Sequence, residues 1–243
     1  IFSPPDIQAA ASKMEKRKGP IFAGPSLHIV VATLRCNYNC IYCHATACGK
    51  DDKWADMNQE TADQVLNMVF ASTSHAIAIE FQGGEPLLNW PIVKYITEKA
   101  REMNKVYEKD LELRLVSNYS LMTDEIYDFL IENKVSLCTS IDGPRDLHNR
   151  NRPYAQGDSY EEAVKWTKRI INDYGSIKEK GYIWKPNAVP TISRFSLDYP
   201  KQIVDEFVDL GYHSIFLKPI NPFGLSKKIW DRIGYSAQEY IDF

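Results

Sequence analysis

The sequence predicts an α/β fold built on parallel strands. Two observations carry this: short apolar or β-branched runs alternate with helix-period stretches six times, and polar or glycine residues recur at the ends of those runs. Strands alternating with helices of this length pair in parallel through right-handed crossovers. Six such units make either an open doubly wound sheet or an incomplete barrel.

Residues 1–26 hold Pro4, Pro5, Gly19, Pro20, Gly24 and Pro25 and read as an N-terminal leader segment with one possible helix. The core begins after Pro25. The first strand is the apolar run HIVVATL (28–34), and NQETADQVLNMVFAS (58–72) has the longer period of a helix. AIAIEFQ (76–82) and LELRLVSN (111–118) read as strands, separated by a helix in WPIVKYITEKAREMNKVY (90–107). A helix in TDEIYDFLIENK (123–134) leads to a strand in VSLCTSID (135–142). The second half adds a helix in SYEEAVKWTKRIINDYG (159–175), a strand near WKPNAVPTI (184–192), a helix in YPKQIVDEFVDLG (199–211) and a strand in HSIFLKPI (213–220). Asn221 to Ser226 reads as a loop toward a further domain. Residues 236–243 read as the start of a truncated C-terminal extension, because Ser236-Ala-Gln-Glu239 has the form of a helix capping box. With Ile rather than Met at position 1, the sequence is expected to be an excised piece.

The 243 residues are 44% hydrophobic and 25% charged, which fits one large globular α/β domain. A net charge of −3 with both signs interspersed leaves no basic footprint for nucleic acid. No apolar run approaches a membrane span, and the N-terminus lacks the apolar stretch of a secretory signal, so the expected location is cytoplasmic. Three of the five cysteines crowd within eight positions, which points to metal ligation in a reducing compartment rather than to disulfides.

Parallel α/β folds place their chemistry at the carboxyl ends of strands. Here the first strand ends in a cysteine triplet and the second in Gln82-Gly83-Gly84-Glu85-Pro86. The third ends in Ser117-Asn118, the fourth in Ser140-Ile141-Asp142-Gly143-Pro144, and the sixth in Lys218-Pro219. Cys36, Cys40 and Cys43 form a C-x3-C-x2-C pattern, so three thiolates converge at one strand end. A [4Fe–4S] cluster normally takes four cysteines, and a cluster held by three leaves one iron open to a small molecule. A structural zinc is the competing reading, with His44 or Cys48 closing the tetrahedron. Zinc sites usually bring a second knuckle or a distant His pair, and no second knuckle exists here.

The triplet, with Tyr42 just before its last cysteine, resembles the cluster-binding signature of the radical S-adenosylmethionine (SAM) superfamily. In that family the open iron chelates the amino and carboxylate groups of SAM, and an electron splits a sulfur–carbon bond to release a 5′-deoxyadenosyl radical. The resemblance assigns Gly83, Gly84 and Glu85, as a GGEP-type motif, to the SAM amino group. It places Asn118 near the nucleoside, although Ser117-Asn118-Tyr119 departs from the commoner Thr-Asn-Gly. By the same resemblance Ser140 bonds to the ribose or carboxylate region, and Arg152 pairs with the SAM carboxylate through a charge-assisted fork. Asp142 reads as a turn former that braces the loop. No single catalytic side chain is assigned.

Within the superfamily the sequence is similar to the branch of sulfatase-maturing enzymes and peptide maturases that carry a SPASM or twitch extension. EFQGGEPLLNW, SNYSLMTDE and TSIDGPRDLHNRNRP look most like the His-Xaa-Ser system radical SAM maturase. This implies a partial (β/α)6 TIM-like barrel with parallel strands over residues 27–235, one SAM-binding [4Fe–4S] cluster and an external electron donor. It also implies a ribosomally made peptide or small protein as substrate. No cysteine follows Cys138, so the auxiliary clusters of such extensions are not carried here. The alternatives are a zinc-stabilised, non-catalytic peptide-binding module and a radical SAM enzyme acting on a small molecule. His28 and the helical aromatics Trp166 and Tyr127 read as packing residues, Cys48 and Cys138 as small buried or loop residues, and Lys218 as a substrate contact or a rim residue.

Overall fold

A computed structural model describes residues 3–179 and 186–243. Helix α1 (Pro4–Phe22) comes first, its start tied by the Asp6 carboxylate accepting from Ser3 N at 3.0 Å. Next come β1 (Leu27–Thr33), α2 (Gln59–Phe70), β2 (Ala76–Gly83), α3 (Trp90–Tyr107), β3 (Asp110–Val116), α4 (Asp124–Glu132) and β4 (Val135–Cys138). All four strands pair in parallel in the order β1-β2-β3-β4. After α5 (Arg145–Asn151) and α6 (Ser159–Glu179), β5 (Thr191–Ile192) and β6 (Lys218–Pro219) make a second parallel pair, with α7 (Pro200–Asp209) between them. This is an α/β fold on parallel strands, consistent with a partial barrel.

Side chains alternate across each strand, so period-two burial decides which face meets the helices. Ile77, Ile79 and Phe81 of β2, with Leu111, Leu113 and Leu115 of β3, pack in one core with Leu66, Val93, Ile96, Leu130 and Trp166. Each such buried side chain contributes about 1.5–3 kcal/mol. The intervening residues Glu80, Gln82, Glu112 and Arg114 take the other face, which lines a cavity inside the strand array. A second core gathers Ile141, Ile192, Ile203 and Phe207 around β5.

Three strands are shorter than the sequence suggests. The run 135–142 leaves the ladder at Cys138, whose carbonyl accepts from Ser117 N at 3.1 Å, and the next residues turn toward a buried Asp142. The run 213–220 keeps only Lys218–Pro219 as strand, beside an isolated bridge between Ala188 and Ile215. Pro190 has no N–H to donate and interrupts the ladder, although Phe216 N still donates to Ala188 O at 2.8 Å and Ile220 N to Ile192 O at 3.2 Å on either side. Of WKPNAVPTI, Trp184 and Lys185 lie outside the described residues, and of the rest only Thr191–Ile192 is strand, beside the bridge at Ala188. Helix α5 was not legible because its sequence, RDLHNRN, has no apolar period.

The segment after β6 turns back. Leu225 N donates to the Cys43 carbonyl at 3.0 Å, and the Phe223 ring meets His44 edge-on at 6.4 Å. The short helices α8 (Leu225–Lys228) and α9 (Trp230–Ile233) follow. Then α10 (Ala237–Asp242) starts at the expected box, with Ser236 N on Glu239 Oε2 at 2.7 Å and Glu239 N on Ser236 Oγ at 3.2 Å. Among the described residues no helix is long and apolar enough to cross a membrane.

Candidate functional site

One cavity of about 240 Å³ at the carboxyl ends of the strands collects the predicted residues. Cys36, Cys40, Cys43, Gly83, Gly84, Glu85, Asn118, Ser140 and Arg152 all line it. Cys48 and Cys138 do not. Cys48 instead exchanges backbone hydrogen bonds beneath the loop, its carbonyl accepting from Cys36 N at 3.0 Å and its N–H donating to Leu34 O at 2.9 Å. Cys138 opens on the neighbouring cavity inside the strand array.

The cysteine loop is held from three sides. Arg35, just before the first cysteine and buried, forks onto Asp56 at 2.7 and 2.8 Å and reaches the Lys50 and Leu88 carbonyls, each at 2.7 Å. Asn39 N donates to Pro153 O at 2.9 Å and Ile41 N to Asn151 O at 3.0 Å, so the segment after α5 backs the loop. Burial pushes the Cys36 thiol up to about 12 and the Cys40 thiol up to about 11, the latter against the pull of Arg152. Thiols this buried ionise when a metal takes the place of the proton. Three half-buried thiols share one cavity wall with His44 and no fourth thiol, and no three His, Cys, Asp or Glu side chains among the described residues gather tightly enough to hold a single ion. That donor set fits an iron–sulfur cube with one open corner better than a closed zinc tetrahedron.

Gly83 and Gly84 serve the scaffold as much as the cavity. Gly83 has φ +134°, and a Cβ there would stand 2.1 Å from Thr33 O; one on Gly84 would stand 2.1 Å from Arg35 O. Without side chains, the β2 end presses on the backbone entering the cysteine loop, with Gly84 N on Thr33 O at 2.9 Å and Glu85 N on Arg35 O at 2.7 Å.

Glu85 is buried, and its carboxylate is largely engaged. Oε1 accepts from Leu87 N at 3.0 Å and Ser117 Oγ at 2.8 Å, while Oε2 accepts from Asn118 N at 2.8 Å. Burial raises this carboxyl above its ordinary range, against the three donors that lower it. With about four acceptor positions on a carboxylate, one position at Oε2 remains for a ligand. Asn118 belongs to a closed ring: its Nδ2 donates to Asn37 Oδ1 at 2.9 Å, its Oδ1 accepts from Ser120 N at 2.9 Å, and Asn37 Nδ2 donates to Ser120 Oγ at 2.7 Å. The ring ties the third strand's end to the cysteine loop.

Asp142 is the residue whose role the sequence understates. It is fully buried, and instead of merely bracing a turn it accepts from Arg152 Nε at 3.1 Å and Nη2 at 3.2 Å, from Thr191 N at 3.1 Å, and from the Tyr42 hydroxyl. Burial would raise its carboxyl, but Arg152 and then His148 override this and hold it below the ordinary range. The Arg152 guanidinium also lies over the Tyr42 ring, 5.3 Å from its centroid. One fork of Arg152 is thus taken inside the protein, and Nη1 with the second Nη2 proton remain for the cavity. Ser140 lies between the two cavities and lines both. His28 sits away from the site, 3.1 Å from Pro25 O, and Tyr127 packs on Trp166 at 5.7 Å in the core.

The sequence compares with known proteins as this geometry suggests. It is 25% identical over 97% of the chain to a radical SAM cyclopropyl synthase, TigE, of Paramaledivibacter caminithermalis, covering 52% of that protein. It is 27% identical over 78% of the chain to the serine-type anaerobic sulfatase-maturating enzyme of Bacteroides thetaiotaomicron, covering 44% of it. The chain thus spans about half the length of these curated relatives. The solved structure of native anSMEcpe with bound AdoMet and Cp18Cys peptide superposes with a TM-score of 0.63 at 22% identity, over 80% of this chain and 50% of that one, which shows the fold. The family model of the radical SAM superfamily matches residues 30–177, most of the parallel array together with the cysteine triplet, and the chain belongs to that superfamily.

Proposed function

We propose that this chain is the radical-generating core of an enzyme that modifies a ribosomally made peptide or small protein, with Cys36, Cys40 and Cys43 holding a [4Fe–4S] cluster. The observation that carries this reading is the meeting of three half-buried thiols, without a fourth, with the Gly83 to Glu85 turn and Arg152 on one cavity wall. Once bound there, the cluster and SAM supply a reductive cleavage that yields a 5′-deoxyadenosyl radical able to take hydrogen from a substrate C–H bond. The chain's own residues bind and aim. The Gly83 and Gly84 carbonyls and the remaining Oε2 position of Glu85 face an ammonium, while the free edge of Arg152 faces a carboxylate. Ser140 reaches the ribose or carboxylate region, and Asn118 braces the nucleoside side through its ring with Asn37 and Ser120. An external donor supplies the electron.

A peptide substrate is favoured by the relatives, which include sulfatase-maturating enzymes, and by a fold neighbour solved with a peptide bound. Within that branch the strand-end motifs resemble the His-Xaa-Ser system maturase most. The radical is unselective by nature, so selectivity falls to holding one substrate carbon close.

The test is anaerobic reconstitution with iron and sulfide, then SAM and dithionite, for the chain and for its Cys36→Ala, Cys40→Ala and Cys43→Ala variants. Cluster absorbance and 5′-deoxyadenosine are expected from the parent and neither from the variants. Failure of the parent to take up iron, with zinc bound instead, would sink the reading.

A further inference from the structure

A second cavity of about 550 Å³ lies inside the strand array, and it shares Gln82, Val116, Ser140, Thr191 and Lys218 with the cavity of the three thiols. Its charged wall is mostly answered from within. Arg114 forks onto Glu112 through Nε and Nη2, each at 2.6 Å, and stands 3.6 Å from Glu80. In the cavity of the three thiols Arg152 is answered by Asp142, and of the residues common to both spaces only Lys218 is charged. Lys218 is the exception there: among the described residues its ammonium has no ion pair or side-chain hydrogen bond, although the residue is partly buried. Its backbone is fixed, with Lys218 N on Pro190 O at 3.0 Å and Lys218 in register with Thr191. The cation is therefore held at the mouth between the chambers by its strand, without an ion-pair partner among the described residues, on a wall where Glu80 and Glu112 share the one guanidinium of Arg114.

A partly desolvated ammonium lacking an acceptor is unfavourable until something anionic meets it. On the reading that the substrate is a peptide, we propose that Lys218 is a specificity contact that pairs with a carboxylate of the substrate, from an Asp or Glu side chain or a chain end, as it lies in the inner cavity. The pairing fixes which part of the substrate faces the cysteine loop, since Lys218 borders both spaces. The SAM carboxylate is the other anion that could reach this wall, and Arg152 already has a free edge for it.

The experiment uses the reconstituted chain with SAM present and measures binding by calorimetry. The probes are a capped pentapeptide, Gly-Ala-Asp-Ala-Gly, its Asn counterpart, glutarate and glutaramide. The Asp peptide is expected to bind on the order of tenfold more tightly than the Asn peptide, as one charge-assisted contact allows. Lys218→Gln should erase that preference and Lys218→Arg should keep it, with SAM affinity unchanged in both. If Lys218→Gln weakens SAM binding in the absence of any peptide, the lysine reads SAM and the proposal falls. Equal binding of all acidic and amide probes, or binding of none, also overturns it. A Lys218-dependent preference for glutarate with neither peptide bound would keep the carboxylate contact and remove the peptide reading.

Discussion

The Asp142 carboxylate and the Arg152 guanidinium form a buried two-point ion pair, Nε to Oδ2 at 3.1 Å and Nη2 to Oδ1 at 3.2 Å. Because Asp142 also receives Thr191 N and the Tyr42 hydroxyl, this one carboxylate joins the fourth strand end, the fifth strand, the cysteine loop and α5. Removing it strands a buried cation. Asp142→Ala is expected to cost about 3–5 kcal/mol of stability, read from urea unfolding of the chain. The milder Asp142→Asn should retain the fold yet weaken SAM binding by releasing the Arg152 edge. Unchanged unfolding in the alanine variant would show that the pair is not holding these elements together.

Glu85 leads to a sharper substitution. In Glu85→Gln the side chain keeps its size but replaces one acceptor oxygen by an amide that can only donate. Either Asn118 N or the pair Leu87 N and Ser117 Oγ then faces a donor instead of an acceptor. About 1–3 kcal/mol of destabilisation is expected from one unsatisfied buried group. Calorimetric melting of the variant, alongside SAM titration of the reconstituted chain, checks both consequences. A variant that melts and binds like the parent would mean that the acceptor count at this carboxylate is unimportant.

Legibility in the sequence followed distance along the chain. The strand and helix alternation was readable because each element carries its own period, the strand-end rule pointed to the cysteines, Gly83 to Glu85, Asn118 and Ser140, the family resemblance added Arg152, and all of them line one cavity. What stayed hidden was pairing across that distance. Arg35 needs Asp56, Asn37 needs Asn118 and Ser120, and Arg152 spends one fork on Asp142. A lone Asp before Gly-Pro looks like a turn residue, and only the fold reveals which cation it meets. The resemblance marks Gly83 and Gly84 as ligand contacts, and what the fold adds is that a side chain on either would meet the backbone of residues 33–35.

Gly84→Ala tests that approach. Its Cβ would meet Arg35 O at 2.1 Å and Leu34 O at 2.7 Å, both backbone atoms, so the β2 end or the cysteine loop must move. The helices and the outer strand faces are remote from the clash, and circular dichroism is expected to stay close to the parent's. Iron retained after reconstitution and gel filtration should fall several-fold. Full iron retention would show that the cysteine loop tolerates displacement of the second strand.

His148 gives the chain a pH dependence whose sign can be worked out. The side chain is fully buried, its Nδ1 accepts from Asp142 N at 3.3 Å, and burial brings its pKa down to about 4 from an ordinary 6.5, despite the opposing pull of Asp142. The folded chain therefore keeps His148 neutral where the unfolded chain protonates it. Between about pH 4 and 6.5 the unfolded state binds the extra proton, so this contribution to stability is complete above 6.5 and is lost as the pH falls toward 4. The full span amounts to on the order of 3 kcal/mol. Urea unfolding across this window should show stability rising with pH, and His148→Phe should flatten that rise even if its absolute stability is lower. Proton NMR offers the direct check, because the His148 ring resonances of the folded chain should hold their neutral positions at pH 5.5. Half-protonation of that ring near pH 6.5 would overturn the assignment, because burial would then not be holding the imidazole neutral.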